Sequence, residues 1–326
     1  MSFYDLPAWK TSSFNGFKHK YLYIRSSDSS KPVILFLHGF PDGPLGFSAT
    51  IPYFIHAGYG VLAPELLGYG DTSKPEEIQA YASKNICYIL GALLKHENIE
   101  EKIIVLGHDF GSSLAARFVQ FYPDLAKGLI LASAGYSPPG KPFDPDVINA
   151  VLSPITGYEN VGYIKFMSRP DAAQIIEDHF AAFVALGYAE SQVWKERLCP
   201  TGAMEKTLKE DYICPMASWV TDDWKRDIAG FILHTGLEAP ARWYQALVQG
   251  VHIPGEEGLN PNIGIPTLFL QTTEDAVMTG LFTPEGQAPY FSDFTSKPFK
   301  TGHWIFAEDP KGSATAILDW FKEKNF

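Results

Sequence analysis

The sequence predicts an α/β fold, a doubly wound and mostly parallel sheet with one long helical insertion, and three observations carry that expectation. Short continuous apolar runs recur with the character of strands buried on both faces, and helical periodicities fill the gaps between them. The alternation then stops over residues 137–255, where only helical patterns continue, and resumes afterwards.

The first strand is Val33–Leu37, set off by Pro32 and Gly39. Runs at 60–63, 102–106, 128–131 and 267–270 repeat its pattern, and a last strand is expected near 298–300. Ile86, Ile89, Leu90, Leu93 and Leu94 recur at helical spacing, as do Leu114, Phe118 and Phe121. A closing helix is expected over 314–324. Strand and helix in alternation imply right-handed crossovers, with ligands at the carboxyl ends of the strands. Within the insertion, helices are expected over 172–186 and 239–251, and its entry, 137–145, is rich in proline and glycine. Residues 1–136 therefore read as the first part of a core, 137–255 as a helical cap and 256–326 as the second part of the core.

A chain of 326 residues with 46% hydrophobic content can bury a large core. Lys and Arg total 26 against 37 acidic residues, and the net charge of -11 would repel nucleic acid and anionic lipid. Met1 to Lys10 contains no basic segment followed by an apolar run, and no membrane-length apolar stretch follows, so a soluble, unprocessed protein is expected. Cys87, Cys199 and Cys214 fit neither a disulfide scaffold nor a zinc site, which makes a reducing, cytoplasmic setting the default. Oligomeric state is not legible.

Gly107-His108-Asp109-Phe110-Gly111-Ser112 lies directly between a strand and a helix. A sharp strand-to-helix turn needs small flanking residues, here Gly107, Gly111 and Ser112, and the G-x-S-x-G pattern has the same spacing with serine at its centre. Asp109 changes the chemistry. A carboxylate can displace a leaving group at saturated carbon and form an alkyl ester that is still cleavable at its own carbonyl, whereas serine would form an inert ether. The helix N-terminus behind it favours the ionised acid. The competing reading is an aspartate that merely caps the helix.

From about Ser13 to the C-terminus the chain resembles the soluble epoxide hydrolase branch of the α/β-hydrolase superfamily. His38-Gly39-Phe40-Pro41 resembles its HGxP turn, Gly68 to Pro75 its GYG-x-[ST]-x-x-P loop, and Gly107 to Ser113 its GHDWG elbow. The resemblance implies an oxyanion hole from the backbone N–H groups of Phe40 and Phe110, with Asp109 as nucleophile. It implies His303 as general base, in the expected chain order, and Asp275 as the acid that orients it. Glu274, Asp144 and Asp146 are the other candidates for that acid. His38 is assigned no catalytic role.

An epoxide oxygen is a poor leaving group, and the family protonates it from tyrosines of the cap. Tyr244, in Arg242-Trp243-Tyr244-Gln245, resembles the family's N-W-Y-[RK] segment with arginine in place of asparagine, and Tyr163 is the candidate second donor. Phe166, Phe180, Phe183, Trp219 and Trp243 suggest an apolar pocket, with Phe166 and Trp243 as substrate contacts. Glu65, Phe47 and Phe110 depart from the family's usual residues and suggest that this pocket is reshaped.

The implied reaction opens a small apolar epoxide to a vicinal diol without metal or cofactor. The alternatives are a haloalkane or haloacid dehalogenase, which would need N–H donors for halide where Phe110 stands, and a ligand-binding or ring-closing protein on the same fold.

Overall fold

In the computed structural model, which describes residues 3–326 and so leaves Met1 and Ser2 outside, the chain forms an eight-stranded sheet. The strands are β1 (Trp9–Phe14), β2 (Phe17–Ile24), β3 (Val33–Leu37), β4 (Gly60–Pro64), β5 (Ile103–His108), β6 (Ala126–Ala132), β7 (Thr267–Thr272) and β8 (Phe294–Phe299). Their spatial order is β1-β2-β4-β3-β5-β6-β7-β8, antiparallel at β1/β2 and β2/β4 and parallel elsewhere.

Each expected strand is present, several extended by one to four residues. The hairpin β1–β2 was not expected. Its register pairs Phe14 with Phe17 around Asn15 (φ 54°) and Gly16 (φ 81°), the two-residue turn that Asn-Gly favours. The signal was in the sequence, but β1 is half exposed and carries no apolar run.

Side chains of the central strands alternate between two cores, as a period of two requires. Leu35, Leu37, Val105, Leu129, Leu131 and Phe269 face one core, shared with the helices Ser83–His96 and Phe110–Phe121. Ile34, Phe36, Ile104, Leu106, Ile130 and Leu270 face the other, closed by Phe54 and by Ile317, Trp320 and Phe321 of the C-terminal helix Pro310–Lys324.

Between β6 and β7 the backbone is helical apart from loops and isolated bridges. The expected helix over 172–186 is two helices, Ala172–Asp178 and Phe180–Gly187, parted at His179 (φ -120°, ψ 35°). His179 is held 2.7 Å from Asp211, a tertiary contact that local periodicity does not contain. The expected helix over 239–251 is Glu238–Val248, ending ahead of Gly250 (φ 64°). Among the described residues no helix is long and apolar enough to cross a membrane.

Candidate active site

The bend after β5 is built so that only small residues fit around one carboxylate. A Cβ on Gly107 would lie 2.1 Å from the carbonyl oxygen of Gly111, and one on Gly111 would lie 1.9 Å from that of Leu37. Ser112 fixes the same corner, its Oγ donating to the Gly107 carbonyl at 2.9 Å. Asp109 is thereby held at φ 56°, ψ -123°, a conformation that non-glycine residues rarely adopt and that concentrates at functional sites.

Although Asp109 stands at the helix N-cap position, its side chain makes no capping bond. The capping alternative therefore fails. The carboxylate turns toward β3 instead, where the Phe40 N–H donates to Oδ1 at 3.1 Å and the Phe110 N–H adds a second bond. The close approach explains Gly39, since a Cβ there would come within 2.3 Å of Oδ1. Burial raises the pKa of Asp109 above the ordinary carboxylate value, against the lowering pull of His303 and the two amides.

His303 lies beyond β8, with Nε2 3.6 Å from Asp109 Oδ2 and Nδ1 2.7 Å from Asp275 Oδ2. Asp275 is wholly buried beyond β7. Its Oδ1 accepts from Val277 N at 2.9 Å and Met278 N at 3.1 Å, so the carboxylate is fixed and the imidazole it orients is fixed with it. Burial would lower His303, but the Asp275 carboxylate, with help from Asp109, outweighs it and holds the ring up at about 9. The rival acids lie elsewhere: Asp144 caps the helix Pro145–Thr156, Asp146 pairs with Lys165, and Glu274 is half exposed near Lys300. His38 bonds to Gly39 O and Leu66 N, a structural role as expected.

Opposite Asp109, Tyr163 and Tyr244 meet with ring centroids 6.1 Å apart, close enough for their phenols to interact. Tyr244 stands edge-on to both Phe40 (5.1 Å) and Phe110 (4.9 Å). Burial raises both phenols well above their ordinary value, and the charge of Asp109 adds to it, so both remain protonated donors. Asp109, Phe110, Tyr163, Tyr244 and Trp243 line one cavity of about 280 Å³. It runs along the helix Phe110–Phe121 past Leu114 to Arg117, a distance of about 10 Å at 1.5 Å per residue.

Several expected contacts are not in that cavity. Phe166 is buried beneath the Arg169 guanidinium and does not line it; nor do Phe180, Phe183 or Trp219. Phe47 packs on the opposite face of the sheet against Phe36 and Phe306, and Glu65 sits under the loop at Asp71. Of the departures from the family pattern at Glu65, Phe47, Phe110 and Arg242, only Phe110 lines the cavity. Aromatic content locates a core more readily than a pocket, because rings in helices fill interiors wherever they fall.

One residue escaped sequence reading. Asp42, directly after the HGxP proline, is buried, and its carboxyl is pushed up to about 8 by burial first and by the charge of Asp109 second. Its Oδ1 has no hydrogen-bond partner among the described residues. A charged residue directly behind that turn was the available signal. Among the described residues no group of three or more His, Cys, Asp or Glu is arranged to hold a metal ion.

Residues 32–310 match the profile of the α/β-hydrolase fold family, and the chain belongs to that family. Among curated relatives it is similar to an epoxide hydrolase of Neurospora crassa, 24% identical with 90% of this chain and 88% of the relative covered. Epoxide hydrolase A of Mycobacterium tuberculosis is 26% identical, with 91% and 92% covered. The solved structure of epoxide hydrolase A from Mycobacterium thermoresistibile superposes with a TM-score of 0.80 at 24% identity, covering 97% of this chain and 98% of that one. An epoxide hydrolase from an endophytic Streptomyces gives 0.81 at 22% identity, with 97% and 96% covered. These likenesses establish the fold.

Proposed function

We propose that this protein hydrolyses an apolar epoxide to a vicinal diol through an alkyl ester on Asp109, within a pocket roofed by the helical segment 137–255 acting as a cap. The observation that carries the reading is the pair of protonated phenols, Tyr163 and Tyr244, sharing one cavity with a carboxylate that has a histidine–aspartate pair behind it. The relatives, all epoxide hydrolases by name, support the same reaction. The free, buried cysteines Cys87, Cys199 and Cys214 fit a cytoplasmic setting.

Oδ1 of Asp109 is occupied by the Phe40 amide, which leaves Oδ2 to attack the epoxide carbon. A carbon–oxygen bond forms as the ring bond breaks, and the released oxygen takes a proton from the tyrosine pair. Esterification removes the charge on Asp109 that helps keep His303 protonated. His303 then releases its proton, which balances the one that the phenols gave up. The neutral imidazole accepts a proton from water as the water oxygen attacks the ester carbonyl. The resulting oxyanion sits between the amides of Phe40 and Phe110, each worth about 3 kcal/mol. Collapse expels the diol oxygen, which recovers the proton from His303.

Halide displacement is less well served. The Trp243 N–H is donated to Leu67 O at 2.9 Å, and Arg117 is paired with Glu256 at 2.8 Å, so neither is free to receive a halide beside Asp109. A single turnover in heavy-oxygen water tests the proposal: the first diol should be unlabelled and the label should appear in Asp109. Label in that first diol would overturn the covalent route.

A further inference from the structure

The two reactants of the proposed cycle meet one carboxylate at different times, epoxide first and water second. The cavity that Asp109 lines does not include His303. A second cavity, of about 380 Å³, is lined by His303 and does not include Asp109. The two differ in character. The first is walled by Phe110, Leu114, Trp243 and other apolar groups, whereas the second is walled by Glu190, Ser191, Gln192, Lys195 and Thr273.

His303, which lines the second cavity, comes within 3.6 Å of Asp109, which lines the first. The Trp194 ring lies 5.6 Å from that of His303, its N–H donated to Leu186 O at 2.7 Å, and the Trp304 N–H is donated to Gly187 O at 3.0 Å. Beside His303, Gly302 is close to two polar groups: a Cβ there would lie 3.3 Å from Ser191 Oγ and 3.4 Å from Glu308 Oε2. Glu308 in turn accepts from Gly302 N at 2.9 Å.

We infer that the second cavity is the water site and water entrance of this enzyme, feeding His303 from behind while the ester fills the apolar cavity. The inference rests on the epoxide-opening reading. An apolar substrate lodged in the first cavity excludes water from the side of Asp109, so hydrolysis needs a separate supply. A water occupies about 30 Å³ and needs two to four polar partners, and the second cavity has room and partners for several. Each turnover consumes one water, whose oxygen ends on Asp109 and whose hydrogens pass to the diol and the enzyme, so no further reactant is required.

Rapid-quench mass analysis with styrene oxide as probe separates alkylation from hydrolysis. Filling the entrance beside Gly302 with Ser191→Phe should slow ester hydrolysis about tenfold or more while alkylation stays within about twofold, so kcat and KM fall together and kcat/KM holds. Gln192→Trp, farther out, should act in the same direction, and Ser191→Ala should match the wild type. Unaltered alkylation shows that the variant is folded. Hydrolysis at the wild-type rate in both bulky variants, or a kcat/KM that drops with kcat, would overturn the water route. Absence of any ester in the wild type would instead remove the epoxide reading itself.

Discussion

Asp109, His303 and Asp275 stand at the ends of sheet strands, whereas Tyr163 and Tyr244 stand on helices of the segment between β6 and β7. In the first group each side chain has a named hydrogen-bond partner: Phe40 N for Asp109, Asp275 for His303, and two backbone amides for Asp275. In the second, the rings are located by edge-on packing against Phe40, Phe110 and one another. Hydrogen bonds to a rigid sheet leave a group one place to be. Ring packing leaves a donor adaptable, and two donors facing one oxygen can substitute for each other. The comparison implies that the sheet-borne groups are individually indispensable and the phenols are partly redundant.

The largest effect that can break this contrast is at the base. His303→Asn should slow ester hydrolysis about a thousandfold and leave a trapped ester, detectable as added protein mass, because general base catalysis supplies 10²–10⁴-fold. An unchanged hydrolytic rate would show that His303 is as replaceable as a phenol.

Next in size is stability. His303 is raised from 6.5 to about 9, so the native state binds its proton more tightly than the unfolded chain. That contribution is fully present below pH 6.5 and fades as pH rises through about 9, for a total of about 3 kcal/mol. Denaturant titrations at pH 6 and pH 10 should record the loss in the wild type and a much smaller one in Asp275→Asn. A pH-independent difference between the two proteins would argue that the pair is not coupled in this way.

Smallest are the single phenol changes. Tyr244→Phe and Tyr163→Phe should each slow alkylation by roughly 10–100-fold, and the double change should cost more than either, since each donor covers for the other. A single change that abolishes alkylation would dissolve the distinction between the two halves.

The same contrast explains what was legible beforehand. The core could be read because burial imposes apolar runs, and the bend at Asp109 because sterics demand Gly107 and Gly111; both are local rules. His303 and Asp275 followed from chain order in a family whose motifs were present. Tyr244 was reached only by resemblance to a short segment, and Phe166 was misplaced beside it, because which face of a helix meets a cavity depends on distant partners. The break at His179 and the shifted carboxyl of Asp42 were missed for the same reason: Asp211, which holds His179, and Asp109, whose charge adds to the shift of Asp42, are far along the chain.

The chain order of the sheet has one more consequence. β7 pairs with β6 only after residues 133–266 have been laid down, and β8 and His303 come later still. During synthesis from the N-terminus, the carboxylate at residue 109 is thus made long before the groups that would clear it. A nascent or truncated polypeptide that closed around a reactive electrophile without its last fifty residues would be alkylated once and stay so. Under the proposed mechanism the protein would recycle only once the final strands dock, which would couple completion of the fold to escape from self-inactivation.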